Sequence, residues 1–176
     1  LGIVIGSSSV VALINIGHNA AVDAAMIFKD MGTDTLVVQF PAKGNSNVPM
    51  RTRLDLDAVR QAVPGIAHIG ARTLFSGRVV FHGRSANANV VGITPDIKDA
   101  MRLVVQDGRF LSSFDANETY AVIGDQLAQS LSTPGDPLKV GERVRINNYL
   151  FVVVGLLHPQ PRAMLMPVQA NESLFL

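Results

Sequence analysis

The sequence predicts an α+β fold, and three observations carry that expectation. Hydrophobic residues make up 48% of the 176-residue chain and charged residues only 16%, which excludes a disordered chain, since disorder needs low hydrophobicity and high charge. Strand-like and helix-like segments interleave without a regular βα repeat, the pattern of an α+β arrangement and not of a doubly wound sheet. There is no cysteine, so the core must form without disulfides, and thiolate metal sites and thiol chemistry are excluded together.

Taken in order, the chain opens with the uncharged run LGIVIGSSSVVALINIG at residues 1–17. A bilayer span needs about 20 apolar residues, and a secretory leader would show a basic start. The run therefore reads as the outer part of a transmembrane helix that begins before Leu1, with Gly2 and Gly6 forming a small-xxx-small pair. A buried helix of a soluble core has the same signature and stays open as an alternative. Beyond Gly17, polar residues punctuate Ala20, Ala21, Ala24, Ala25, Ile27 and Phe28 at helical spacing as far as Met31, and Gly32 is a natural stop. A helix from about Val4 to Met31 would leave a membrane as an amphipathic stalk over Val22–Met31.

Asp34–Phe40 reads as a buried strand ended by Pro41, and Ala42–Arg53 as a polar loop long enough to be functional. Asp55 is placed to cap a helix over Leu56–Val63, stopped by Pro64-Gly65. Strand-like runs follow at Ile66–Phe75, Gly77–His82 and Ala88–Ile93, with Gly70, Gly77 and Gly83 as bends or turns. Thr94-Pro95-Asp96 starts a short helix to about Met101. Thr119–Gly124 is a strand, Asp125–Leu131 a helix and residues 133–137 a turn-rich connection. Arg143–Asn147 alternates as a half-buried strand, Asn147-Asn148 is a hairpin turn, and Leu150–Leu157 is a core strand. Ala163–Pro167 reads as a strand and Val168–Leu176 as the start of a helix.

Charge is uneven along the chain. Lys43–Arg84 carries a local net of +5, and Asp96–Glu142 a local net of −4, against +1 for the whole. Two lobes of opposite sign or an ordinary solvated surface both fit. The small total argues against bulk nucleic-acid binding, and the absence of Trp argues against base-stacking platforms.

Catalytic patterns are missing: there is no H-E-x-x-H, G-x-S-x-G or P-loop, and His18, His68, His82 and His158 are scattered. Asp55 and Asp57 sit at a helix start, where the dipole favours acids. Asn117-Glu118-Thr119 and Asn171-Glu172-Ser173 match a glycosylation pattern short enough to arise by chance. No catalytic, cofactor-binding or metal site is expected.

The ordered set of segments resembles the MacB-type ABC transporter permeases of the MacB/FtsX-like superfamily. LGIVIGSSSVVALINIGHNA with the following MGTDTLVVQF looks like the end of the first membrane helix and the entry strand, with Asp34 where Asn is usual. Gly108-Arg109-Phe110 with Asp115, the strand from Tyr120 to Gly124, and Gly135-Asp136-Pro137-Leu138 before Gly141 follow in family order. Lys139 and Val140 loosen the last of these. Residues 151–156 (FVVVGL) and Met166-Pro167 complete the set.

The resemblance implies a two-lobed α+β extracytoplasmic domain preceded by a transmembrane and stalk helix. Residues 1–31 would be that helix, 32–93 a first, Porter-like β-α-β lobe, 94–165 an inserted, Sabre-like lobe, and 166–176 the return to the first lobe. The strand closing the first lobe would then lie beyond Leu176. It implies no catalysis and no cofactor in this chain. ATP hydrolysis would occur in a separate or fused ATPase, whose motion this domain would transmit to the periplasmic side of a bacterial inner membrane for efflux. Implied partners are that ATPase, a second permease copy, a periplasmic adaptor and an outer-membrane channel, with no nucleic acid. The stalk face Ala21, Ala25 and Phe28 and the loop positions Gly44, Asn45, Asn47, Arg51 and Arg53 are the candidate partner contacts. A lipoprotein-releasing permease, an FtsX-like regulator of cell-wall hydrolases and a membrane-anchored binding module remain as alternatives.

Overall fold

A computed structural model of the chain describes residues 14–17, 35–39, 55–161 and 168–176. The chain divides into two compact units, one of residues 1–37 with 161–167 and one of residues 38–160 with 168–176. In the first, residues 14–17 are helical and exposed. The second unit carries the sheet.

Its elements run α1 (Leu56–Ala62), β1 (Arg72–Phe81), β2 (Arg84–Ile93), α2 (Ile97–Ala100), β3 (Val105–Gly108), β4 (Tyr120–Ile123), α3 (Asp125–Leu131), β5 (Arg143–Ile146), β6 (Tyr149–Leu157) and β7 (Ser173–Phe175), with single 3-10 turns at Ser113–Asp115 and Ala170–Glu172. The strands lie in the order β3-β6-β4-β7-β2-β1-β5, and β5 also pairs with β6. That second pairing joins β6-β4-β7-β2-β1-β5 into a ring of six strands, a small barrel. β6 is shared on one edge: Tyr149–Val152 faces β5, and Gly155–Leu157 faces β3. The β2–β7 and β4–β6 pairs are parallel and the others antiparallel.

Two cores follow from strand alternation. Val79, Phe81, Ala88, Val90, Ala121, Ile123, Val144, Ile146, Val153 and Leu174 point into the ring, where α3 adds Leu127, Ala128 and Leu131. The next residue on several of the same strands points outward: Val91, Val122, Leu157 and Phe175 pack under a layer made by Ile97, Leu103, Phe110 and Val168. β2, β4 and β7 are thus buried on both faces. This matches the apolar runs Val90-Val91, Ala121-Val122-Ile123 and Leu174-Phe175.

Local chemistry explains most boundaries. The Asp55 carboxylate accepts from the Ala58 N–H at 3.0 Å and caps α1. β1 turns into β2 through His82 and Gly83, both at positive φ (42° and 85°), as a two-residue hairpin with the right-handed strand twist requires. Asn147, at φ 52°, turns β5 into β6. The expected helix Asp125–Leu131 and the hairpin at Asn147-Asn148 are both present.

Four expectations are corrected. Gly77 does not bend the chain: β1 runs through it unbroken, paired with Ala88 on β2, and the glycine makes room for Val90, whose Cγ2 lies 3.1 Å from the position a Cβ would take. Residues 35–39, expected as part of a buried strand, are irregular and exposed, with Leu36 88% and Val38 65% accessible. An apolar β-branched run becomes a strand only where a sheet edge receives it. Val168–Leu176 does not begin a helix; it makes one 3-10 turn and then β7, which fills the gap between β2 and β4. His68 lies in irregular backbone and not in a strand. The expected strand Ala163–Pro167 lies outside the described residues. The expected boundary at residues 93 and 94 falls between β2 and α2, and strands from both sides of it share the barrel.

Candidate interaction surface

The most constructed surface feature is the loop that leaves β3. Gly108 adopts φ 76°, and a Cβ on it would lie 2.2 Å from the Val154 carbonyl oxygen. Gly155 is its counterpart on β6, where a Cβ would lie 2.2 Å from the Arg109 carbonyl oxygen. Only two glycines let the backbones meet this closely. The Arg109 N–H then donates to the Val154 carbonyl at 2.9 Å.

From this fixed start Arg109 reaches along the loop. Its guanidinium donates to both oxygens of Asp115, at 2.6 and 2.8 Å, a fork-to-fork pair. It also lies 5.5 Å from the centre of the Tyr120 ring, within cation–π range. Asp115 additionally accepts from the Ser112 N–H and hydroxyl, each at 2.8 Å. The Arg109 hydrogen bonds, followed by those of Ser112, hold the Asp115 carboxyl well below the usual carboxylate range. Asp115 in turn raises the Arg109 guanidinium above its ordinary value. Phe110 turns inward against Phe175, ring centres 6.2 Å apart. Phe114, between the braced ends, is 93% exposed. The loop is therefore a pinned element that presents one aromatic side chain to solvent.

Because the folded carboxyl titrates below its unfolded value, Asp115 contributes stability above about pH 4, and that contribution is lost as pH falls through the folded pKa. Asp115→Asn is expected to destabilise the domain at pH 7, with the gap to the parent narrowing below pH 4. Thermal unfolding at several pH values reads this directly. A gap that is constant with pH would contradict it.

A second brace joins the β1–β2 hairpin to the turn before β5. His82 Nδ1 lies 2.6 Å from the Asp136 carboxylate, and the His82 ring stacks on Phe81 at 4.1 Å. Sequence reasoning missed this pair, since 54 residues separate its members and no local pattern links them. Among the described residues no group of three or more His, Asp or Glu side chains is placed to hold a metal ion, and no helix is long and apolar enough to cross a membrane. The candidate contacts Ala21, Ala25, Phe28, Gly44, Asn45, Asn47, Arg51 and Arg53 all lie outside the described residues.

A family model for the MacB-like periplasmic core domain matches residues 1–175. The chain belongs to that family. Among curated relatives, it is 27% identical over 169 residues to the macrolide export ATP-binding/permease protein MacB of Bdellovibrio bacteriovorus, covering 89% of this chain and 25% of that protein. The MacB of Chlorobaculum tepidum is 27% identical over 166 residues, with the same coverage of 89% and 25%. The chain thus spans about a quarter of the length of the curated relatives it matches.

Solved structures share its fold. They include the extracellular domain of the noncanonic ABC-type transporter YknZ from Gram-positive bacteria, with TM-score 0.52 and 20% identity over 65% of this chain and 56% of that one. The periplasmic region of MacB from Actinobacillus actinomycetemcomitans gives TM-score 0.50 and 19% identity over 68% and 53%. Within this MacB-like periplasmic core domain, the Gly-Arg-Phe segment and its acidic partner supply the pinned loop, and the glycine of the FVVVGL strand admits it.

Proposed function

We propose that this domain is the extracytoplasmic part of an ABC exporter permease subunit, and that it passes motion driven by a cytoplasmic ATPase to the outer side of the membrane. The family match over residues 1–175 is the observation that carries this reading. The barrel supports it physically. A domain that transmits force must move as a body, and a closed ring with apolar packing inside and over four of its strands resists internal shear.

In this reading the chain preceding Gly32 is the end of a transmembrane helix and a stalk, and the domain faces the periplasm or cell exterior. ATP is hydrolysed in another domain or subunit, a second permease copy completes the machine, and an adaptor and outer-membrane channel receive the substrate. Ala21, Ala25 and Phe28 form the stalk face that couples the two sides.

Ala25→Asp in the full-length protein is expected to reduce efflux at least about tenfold, through a charge placed in an apolar contact, while ATP hydrolysis remains measurable. Drug-efflux and ATPase assays on the same membranes check it. Unchanged efflux would contradict the coupling role.

A further inference from the structure

The walls of the barrel are not electrically alike. β1, β2, β5 and β6 contain no Asp or Glu at any position, but they contain Arg72, Arg78, Arg84, Arg143 and Arg145. Strand register gathers three of these on one outer face. Val79 and Ile146 point inward, as does Val144, so Arg78, Val80, Arg143 and Arg145 point outward. Arg145 stands opposite Val80 on β1 and opposite Leu150 on β6, while Arg143 stands opposite Val152. Asn147, whose N–H donates to the Arg78 carbonyl, brings Arg78 beside the end of β5.

This face therefore alternates guanidinium and aliphatic groups. Arg78, Arg143 and Arg145 are exposed, Leu150 is 57% accessible, and Val80 and Val152 are half-buried. None of the three arginines has an ion-pair partner among the described residues. The nearest carboxylates in sequence do not serve: Asp136 is held by His82, and Glu142 forms no ion pair among the described residues. Exposed sheet faces ordinarily set opposite charges across strands, because like charges side by side repel. Here three like charges share a face with no ion-pair partner among the described residues.

We infer that the outer face of β1, β5 and β6 is a docking surface for an acidic protein segment that carries apolar side chains between its carboxylates. Charge complementarity selects the carboxylates, and the guanidinium fork matches them two hydrogen bonds at a time. Leu150, Val80 and Val152 select the apolar groups. The composition separates this from a lipid surface. Membrane-binding patches are clusters of basic residues beside a membrane-embedded or amphipathic helix, whereas this face is rigid strand, arginine with no lysine, and aliphatic between the charges, as in protein interfaces. The inference rests on the reading above only in placing the partner outside the cytoplasm.

The test uses the full-length protein in phosphatidylcholine nanodiscs and a fluorescein-labelled acidic peptide of repeated Glu-Glu-Leu. Fluorescence anisotropy is expected to show saturable binding that weakens at higher salt. R143E/R145E should weaken it at least about tenfold, and Leu150→Ala severalfold, with unchanged thermal unfolding in both. The inference is overturned by absent binding, by equal affinity in R143E/R145E, or by phosphatidylglycerol vesicles showing the arginine dependence that the peptide lacks. It is overturned too if the arginines instead control self-association of the protein. No transport step enters the assay, so a negative result here leaves the exporter reading standing, and a failed efflux test leaves this surface standing.

Discussion

Phe175→Ala is expected to destabilise the domain by about 3–5 kcal/mol, the cost of removing a fully buried aromatic ring and leaving part of its volume empty. Phe175 has no accessible surface. It lies opposite Val91 on one neighbouring strand and Val122 on the other, with the Phe110 ring over it. One truncation therefore opens a cavity under the whole outer layer and loosens the strand that links β2 to β4. With domain stabilities of about 5–15 kcal/mol, the variant should sit near the edge of folding. Urea unfolding should show a large fall in midpoint at unchanged slope. Phe114→Ala removes the same ring from a 93% exposed position and should change stability by less than about 0.5 kcal/mol. Equal losses from the two substitutions would contradict the placement of both rings.

The second large effect is steric. Gly155→Ala places a methyl group 2.2 Å from the Arg109 carbonyl oxygen, and backbone cannot rotate away as a side-chain end can. Relief requires β3 to separate from β6, at a cost of about 2–3 kcal/mol. The damage should begin at the Arg109 loop. Hydrogen exchange is expected to accelerate first at Arg109, whose N–H is bonded to Val154. Gly135→Ala is the control, since nothing lies within 4 Å of a Cβ at that position and its φ is not in the left-handed region. Wild-type exchange at Arg109 in the Gly155 variant would show that the close approach is not maintained in solution.

Sequence alone disclosed the elements whose signals are local. Asp55 announces α1, Gly124-Asp125 separates β4 from α3, and Asn147-Asn148 marks the hairpin between an alternating run and an apolar one. It failed where the decisive partner is distant. Residues 171–176 (NESLFL) carry no period that separates strand from helix, and Ser173–Phe175 is a strand because β2 and β4 flank it. Gly77 has a bend signal that its pairing with Ala88 in the β1–β2 ladder overrides. Ring closure is invisible locally, because it depends on β5 meeting both β1 and β6.

The candidate surface was legible in a different way. Gly108-Arg109-Phe110 and Asp115 stand out in sequence, but their roles depend on space. The glycine admits the chain to β6, the arginine grips the aspartate, and the phenylalanine anchors the outer layer. The basic face of β1, β5 and β6 was half visible. The excess of positive charge in Lys43–Arg84 points to Arg78 and Arg84, but Arg143 and Arg145 sit 65 residues or more beyond Arg78 and join it only through strand pairing.

In the proposed function the barrel stands outside the cytoplasm as part of an exporter permease. The chain has no cysteine, so a single Asn148→Cys at the exposed β5–β6 turn gives one reporter, once any cysteines elsewhere in the full-length protein are replaced. Intact cells with a permeabilised outer membrane are treated with a membrane-impermeant maleimide before and after lysis. Complete labelling is expected before the inner membrane is breached. Protection until lysis would place the barrel in the cytoplasm and contradict the proposed function.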